Sequence, residues 1–175
     1  WPSFEPLAET PPKEILIAEK DRDSEGKIGS LNVTPPDLSP LYGKSIISDI
    51  VFNTENLQEW EGILQNFTIQ KASIYIPSYQ NQITLKPLAG AKITKSLSIG
   101  VAASEGTIDF TGIDSLAVTP PELKMQLFIA DQKLLNPEAL ERVHFTTFRT
   151  SDHTLDSGIL DGVTIQTDTL EFVSA

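Results

Sequence analysis

Apolar and polar positions alternate along much of this 175-residue chain. Between 67 and 76, Ile69, Lys71, Ser73 and Tyr75 fall on one side of an extended backbone, and Gln70, Ala72, Ile74 and Ile76 on the other. That period of two predicts a half-buried β-strand. Segments 45–52, 82–88, 91–102, 106–118, 143–149, 162–166 and 169–173 share the enrichment in Ile, Val, Thr and Phe that suits a pleated surface. Gly, Pro, Asn and Asp interrupt them at short intervals, which predicts antiparallel pairing rather than a parallel sheet with helical crossovers. Two segments depart from the period. In 53–65, Leu57, Trp60, Ile63 and Leu64 recur at intervals of three and four, the stripe of a helix of about three turns. In 136–143, Asn136 as cap and Pro137 at the first helical position predict about two turns.

The chain also repeats itself. "SLNVTPPDL" at 30–38 returns as "SLAVTPPEL" at 115–123, 85 residues later. Thr34 and Thr119 each stand before two prolines and an acid, the spacing of a capping box, and a third Thr-Pro-Pro lies at 10–12. "NFTIQKAS" (66–73) resembles "HFTTFRTS" (144–151) at an offset of 78. These phrases predict an all-β fold of antiparallel β-sandwich units, two of them in tandem, with two short edge helices. The expected organisation is an N-terminal segment and acidic hairpin over 1–27, a first unit over 28–111 and a second over 112–175, separate or joined in one continuous domain.

Composition narrows the partners. Thirteen basic against 24 acidic side chains leave a net charge of -11, which repels nucleic acid and anionic membrane surfaces. No apolar run reaches the roughly 18 residues of a membrane-spanning helix, and residues 1–20 show no signal-peptide pattern. Cysteine is absent, so disulfides, thiolate chemistry and cysteine metal sites are excluded.

Candidate chemistry is sparse. "DRDSEG" (21–26) sets Asp21, Asp23 and Glu25 at alternate positions before Gly26, as in the first half of a calcium loop. The twelfth position is Asn32 instead of a bidentate Glu, so a solvated acidic turn is the plainer reading and calcium the alternative. His144 and His153 lie nine residues apart, with Asp152 beside the second and Asp156 three beyond it, but suggest no converging site. There is no G-x-S-x-G elbow and no phosphate-cradling glycine run. Asn32 and Asn66 head two sequons, which would carry glycans in a eukaryotic secreted protein. Among the aromatics, Trp1, Trp60, Tyr75 and Tyr79 are candidates for stacking on a sugar or a partner; Tyr79, set among turn formers, is the one expected to bind ligand, and Trp60 belongs to the helix stripe.

Within 134–165, Asn136-Pro137, Ser157-Gly158 and Val163-Thr164-Ile165 resemble the late-embryogenesis-abundant domain of water stress and hypersensitive response. The resemblance covers about a fifth of the chain, and "EALER" departs from the family's apolar segment. It implies a small β-sandwich without catalysis, protective or lipid-associated. The residues themselves favour a non-enzymatic extracellular or surface module for recognition or assembly, with a protein partner or self-assembly foremost. The alternatives are a calcium-dependent carbohydrate binder and a carboxylate-based hydrolase.

Overall fold

A computed structural model describes residues 14–15, 42–43, 45–46, 50–53, 61–66, 68–76, 82–102 and 106–174. Among these residues the strands are β1 (Glu14–Ile15), β2 (Ser45–Ile46), β3 (Ile50–Asn53), β4 (Thr68–Ile76), β5 (Gln82–Thr84), β6 (Lys92–Ala102), β7 (Thr107–Asp109), β8 (Glu122–Phe128), β9 (Lys133–Leu135), β10 (His144–Ser151) and β11 (Gln166–Val173). Two single-turn helices, α1 (Glu138–Glu141) and α2 (Asp152–Asp156), follow β9 and β10. Every strand pair is parallel. The long sheet runs in the order β1-β2-β4-β6-β8-β10-β11, with β3 also on β4, and the short sheet in the order β5-β7-β9.

The chain therefore winds as a coil. It passes along a long-sheet strand, turns into a short-sheet strand and returns one rung further on. Register partners lie 26 residues apart from Ser96 to Glu122 and 22 apart from His144 to Gln166. The antiparallel sandwich is thus corrected to a parallel, two-sheet solenoid. Alternation states which side of a strand is buried, and it reads the same for either pairing direction. What decides the direction is that matching inward positions recur once per coil, so β2, β4, β6 and β8 each pair with the next strand but one instead of the immediate neighbour.

Inward rows build the core. Ile74, Ile99, Met125 and Phe148 are register partners down the long sheet, and all four are buried. Val101, Leu127 and Thr150 form a second row. Ile83 and Ile108 from the short sheet join the same apolar cluster. Each such side chain contributes on the order of 1.5–3 kcal/mol by leaving water. Thr150 is the polar member, and its hydroxyl donates to the Leu127 carbonyl at 2.9 Å inside the core. At the corner between β7 and β8, Gly112 has φ +110°, and a Cβ there would stand 2.1 Å from the Leu85 carbonyl oxygen. Only glycine fits that approach.

Several local expectations change. Ile69 and Lys71 on β4 have Ile93 and Ser96 as their partners on β6; this bulge puts two residues, Thr94 and Lys95, against one, Gln70. Ile69 consequently turns inward with Ala72 and Ile74, leaving Lys71 and Tyr75 exposed. The three-turn helix expected over 53–65 is, in its described part, a turn at 61–63 and a 3₁₀ turn at Leu64–Asn66; Leu57 and Trp60 lie outside the described residues. Helix α1 is present but shorter than predicted, and Asn136 does not cap it. With φ 51°, Asn136 sends its amide to Thr111 Oγ1 at 3.1 Å. Thr119-Pro120-Pro121 leads into strand β8 rather than capping a helix, and Glu122 is the first strand residue. The earlier Thr-Pro-Pro copies lie outside the described residues. The phrase match at 66–73 and 144–151 would align Ser73 with Ser151, whereas the sheet carries Ser73 to Thr147. The boundary expected at 111/112 falls between β7 and β8, and both sheets run across it.

At β11 the inward rows lose their cover. Leu170 and Phe172 are the register partners of Phe148 and Thr150, yet they are 50% and 55% exposed.

Candidate functional site

The outer face of the long sheet carries rows as regular as those inside. One is Ser73, Ser98, Lys124 and Thr147; beside it run Tyr75, Gly100, Gln126, Arg149 and Glu171. Residues two apart on a strand share a face, and parallel register then stacks each position on its partner at about 4.8 Å. Together these side chains line a trough of about 420 Å³.

Tyr75, with 52% of its surface exposed, has Asn53 of β3 as its register partner on one side and Gly100 of β6 on the other. Gly100 is its neighbour, and a Cβ at that position would meet the Tyr75 ring at 3.7 Å and the Gln126 amide at 4.0 Å. Glycine here leaves a shallow step between the ring and the amide. Further along, the Arg149 guanidinium donates to Gln126 Oε1 at 3.4 Å and lies 3.8 Å from the Glu171 carboxylate. Both contacts are long for charge-assisted bonds, so the guanidinium is guided rather than clamped. Lys124 is held by Glu122 at 2.8 Å. The Glu122 hydrogen bond and charge raise the Lys124 amine above its ordinary value, against a slight desolvation, and Glu171 adds a smaller push. Lys124 is therefore a fixed cation at neutral pH rather than a proton donor.

A second trough, about 500 Å³, lies on the short sheet and is lined by Glu61, Gln82, Lys86, Thr107, Asp109 and Lys133 among others. Its most sheltered acid is engaged. Asp109 Oδ1 accepts from the Thr111 backbone at 3.0 Å and its hydroxyl at 2.6 Å, while Oδ2 lies 3.9 Å from Lys86 Nζ. Among the described residues no aromatic side chain lines this trough.

The residues singled out from sequence fare unevenly. Asp21, Asp23, Glu25, Asn32, Tyr79 and Trp1 lie outside the described residues. Among the described residues no three His, Asp or Glu side chains gather to hold a metal. Asn66 is half-buried at the end of the 3₁₀ turn, its amide donating to the Gly62 carbonyl at 3.1 Å and its own carbonyl accepting from Gly43. His144 pairs with Asp168 at 2.6 Å, not with Asp152 or Asp156, and both histidines are exposed. Gln126, Arg149 and Glu171 were not foreseen. Their signal is a spacing of 25, 26, 23 and 22 residues from Tyr75 through Gly100 onward, visible only once the coil length is known. No described helix is long and apolar enough to cross a membrane. No protein-family model, curated protein or solved structure matches the chain significantly.

Proposed function

We propose that the chain is a non-enzymatic recognition module, working outside the cell or at its surface, that lays an extended ligand across the outer face of the long sheet. The observation that carries this reading is Tyr75, a half-exposed ring set in a row of polar side chains from successive coils. A solenoid presents such rows as an extended, repetitive surface, the usual platform of repeat proteins. Tyr contributes a large, rigid contact area with little side-chain entropy to lose. The test is binding of the full chain to mixed glycan and peptide arrays, with Tyr75→Ala and Arg149→Ala alongside. Retained binding in both variants would move recognition away from this face.

The β11 edge supports a second reading, assembly. Leu170 and Phe172 stand exposed on a strand whose outer edge has no partner among the described residues, and exposed apolar edges are sites of strand addition. The occupant that fits is β1 of a second copy, because the sheet ends in a parallel strand at both edges and the copies would stack head to tail without reversing direction. Light scattering across a concentration series tests it. A monomer at every concentration argues against this reading.

A further inference from the structure

Resting on the recognition reading of the long-sheet trough, we propose that its ligand is a neutral, extended oligosaccharide running across the strands, about one pyranose unit per strand. The first argument is spacing. From Tyr75 to Glu171 the outer row crosses five strands, about 19 Å at the parallel-strand interval. That interval is close to the length one pyranose adds to an extended β-linked chain, so a repeating sugar meets a repeating surface in step. A row of this length accommodates about four units.

The second argument is the kind of contact on offer. The trough lies in the middle of the sheet, where β4, β6, β8 and β10 are paired on both sides. An extended peptide gains most of its affinity from main-chain bonds made alongside a free edge, and a ligand lying across these strands would make none with them. Recognition here must use side chains. Tyr75 supplies a flat ring for the apolar face of a sugar, and Gly100 beside it gives room for the ring to lie down. Gln126, Arg149 and Glu171 supply amide, guanidinium and carboxylate groups that both donate to and accept from hydroxyls.

The third argument is charge. Arg149 and Glu171 offset each other in the row, and Lys124 has Glu122 beside it, so each cation among the described lining residues already has a carboxylate partner and is less able to hold a polyanion. The chain as a whole carries -11, which repels an acidic polysaccharide from a distance. A neutral chain incurs neither cost.

The experiment is calorimetric titration of the full chain with β-1,4-linked glucose and mannose oligomers of two to six units, with galacturonate oligomers and an oligolysine peptide as contrasting probes. Affinity for one neutral series should rise from two to four units and then level off. Tyr75→Ala should weaken it at least about tenfold, and Tyr75→Phe should retain most of it, since the ring is kept. Gly100→Val, which fills the step beside the ring, should weaken it as well, with unchanged circular dichroism showing that the fold is kept. Binding of galacturonate or oligolysine in preference, lost in Tyr75→Ala, overturns the neutral-sugar assignment and leaves the recognition face standing. Binding of a neutral oligomer that is insensitive to both substitutions overturns the face itself, and no binding of either neutral series overturns the proposal.

Discussion

Thr154 Oγ1 accepts the backbone N–H of Ile129 at 3.0 Å, tying helix α2 to the chain that leaves β8. Both residues are buried, at 0% and 2% exposure. The same threonine is gripped from below, where Ser151 Oγ accepts its backbone N–H at 3.1 Å and caps the helix. A buried donor without a partner costs about 1–3 kcal/mol. Thr154→Val keeps the shape but removes the acceptor, so urea unfolding should show a loss in that range. Thr154→Ser keeps the hydroxyl and loses a methyl, about 1 kcal/mol. Equal losses in the two variants would show that the bond to Ile129 contributes nothing.

Glycine is required at one corner and only convenient at another. Gly112→Ala would bring a Cβ against the Leu85 carbonyl at 2.1 Å while holding φ at +110°. Positive φ costs about 1–3 kcal/mol and forced repacking a similar amount, so a loss of about 3 kcal/mol or more is expected. Gly62 has φ +80° with no described atom within 4 Å of the added one. Gly62→Ala should therefore cost only about 1–2 kcal/mol, the conformational part alone. Denaturation midpoints of the two variants, compared with the parent chain, separate the steric term from the backbone term.

Strands were legible in the sequence, and their partners were not. The alternation through Ala72, Ile74 and Ile76 marks β4 within a residue of its observed ends, because a half-buried strand needs nothing beyond that local pattern. Pairing direction depends on residues a coil away. Ile74, Ile99, Met125 and Phe148 meet only because the turns between them differ in length enough to restore register each time. Nothing local records that. The repeated phrases drew attention to offsets of 85 and 78, while the sheet carries Ser73 to Thr147, an offset of 74. Similar corners and strands recur because each coil solves the same packing problem, and they need not share a register. The site followed the same division. Tyr75 was visible as a candidate aromatic, but Gln126, Arg149 and Glu171 join it only through the stack.

The Glu122 and Lys124 pair gives a pH dependence with a definite sign. Lys124 is raised in the folded chain by Glu122, hydrogen bond first and charge second. Its contribution to stability is complete below the unfolded lysine value of about 10.4 and is lost as pH rises through the higher folded value. Glu122→Gln should therefore lower the melting temperature slightly at pH 8, within the small range of an exposed pair. That difference should shrink as the pH is taken above the lysine range. Differential scanning calorimetry at pH 8 and pH 11 makes the comparison, and a gap that widens at pH 11 would contradict the assignment.

Phe148 and Phe172 lie in adjacent inward rows on neighbouring strands, yet they should behave oppositely. Phe148 is 1% exposed and packs on Phe145 with ring centroids 5.6 Å apart. Phe148→Ala removes that ring from a closed core and should cost about 3–5 kcal/mol at any protein concentration. Phe172 is 55% exposed, so Phe172→Ala forfeits only part of a ring's transfer energy, about 1 kcal/mol in an isolated chain. Association changes that balance, because a partner covering β11 would bury the remainder and link stability to concentration. If copies stack at this edge, the parent chain should melt higher as concentration rises, and Phe172→Lys should abolish the rise without unfolding the dilute protein. Leu170→Lys, one row over, should do the same. A melting temperature independent of concentration in the parent chain would leave the edge with no role in assembly.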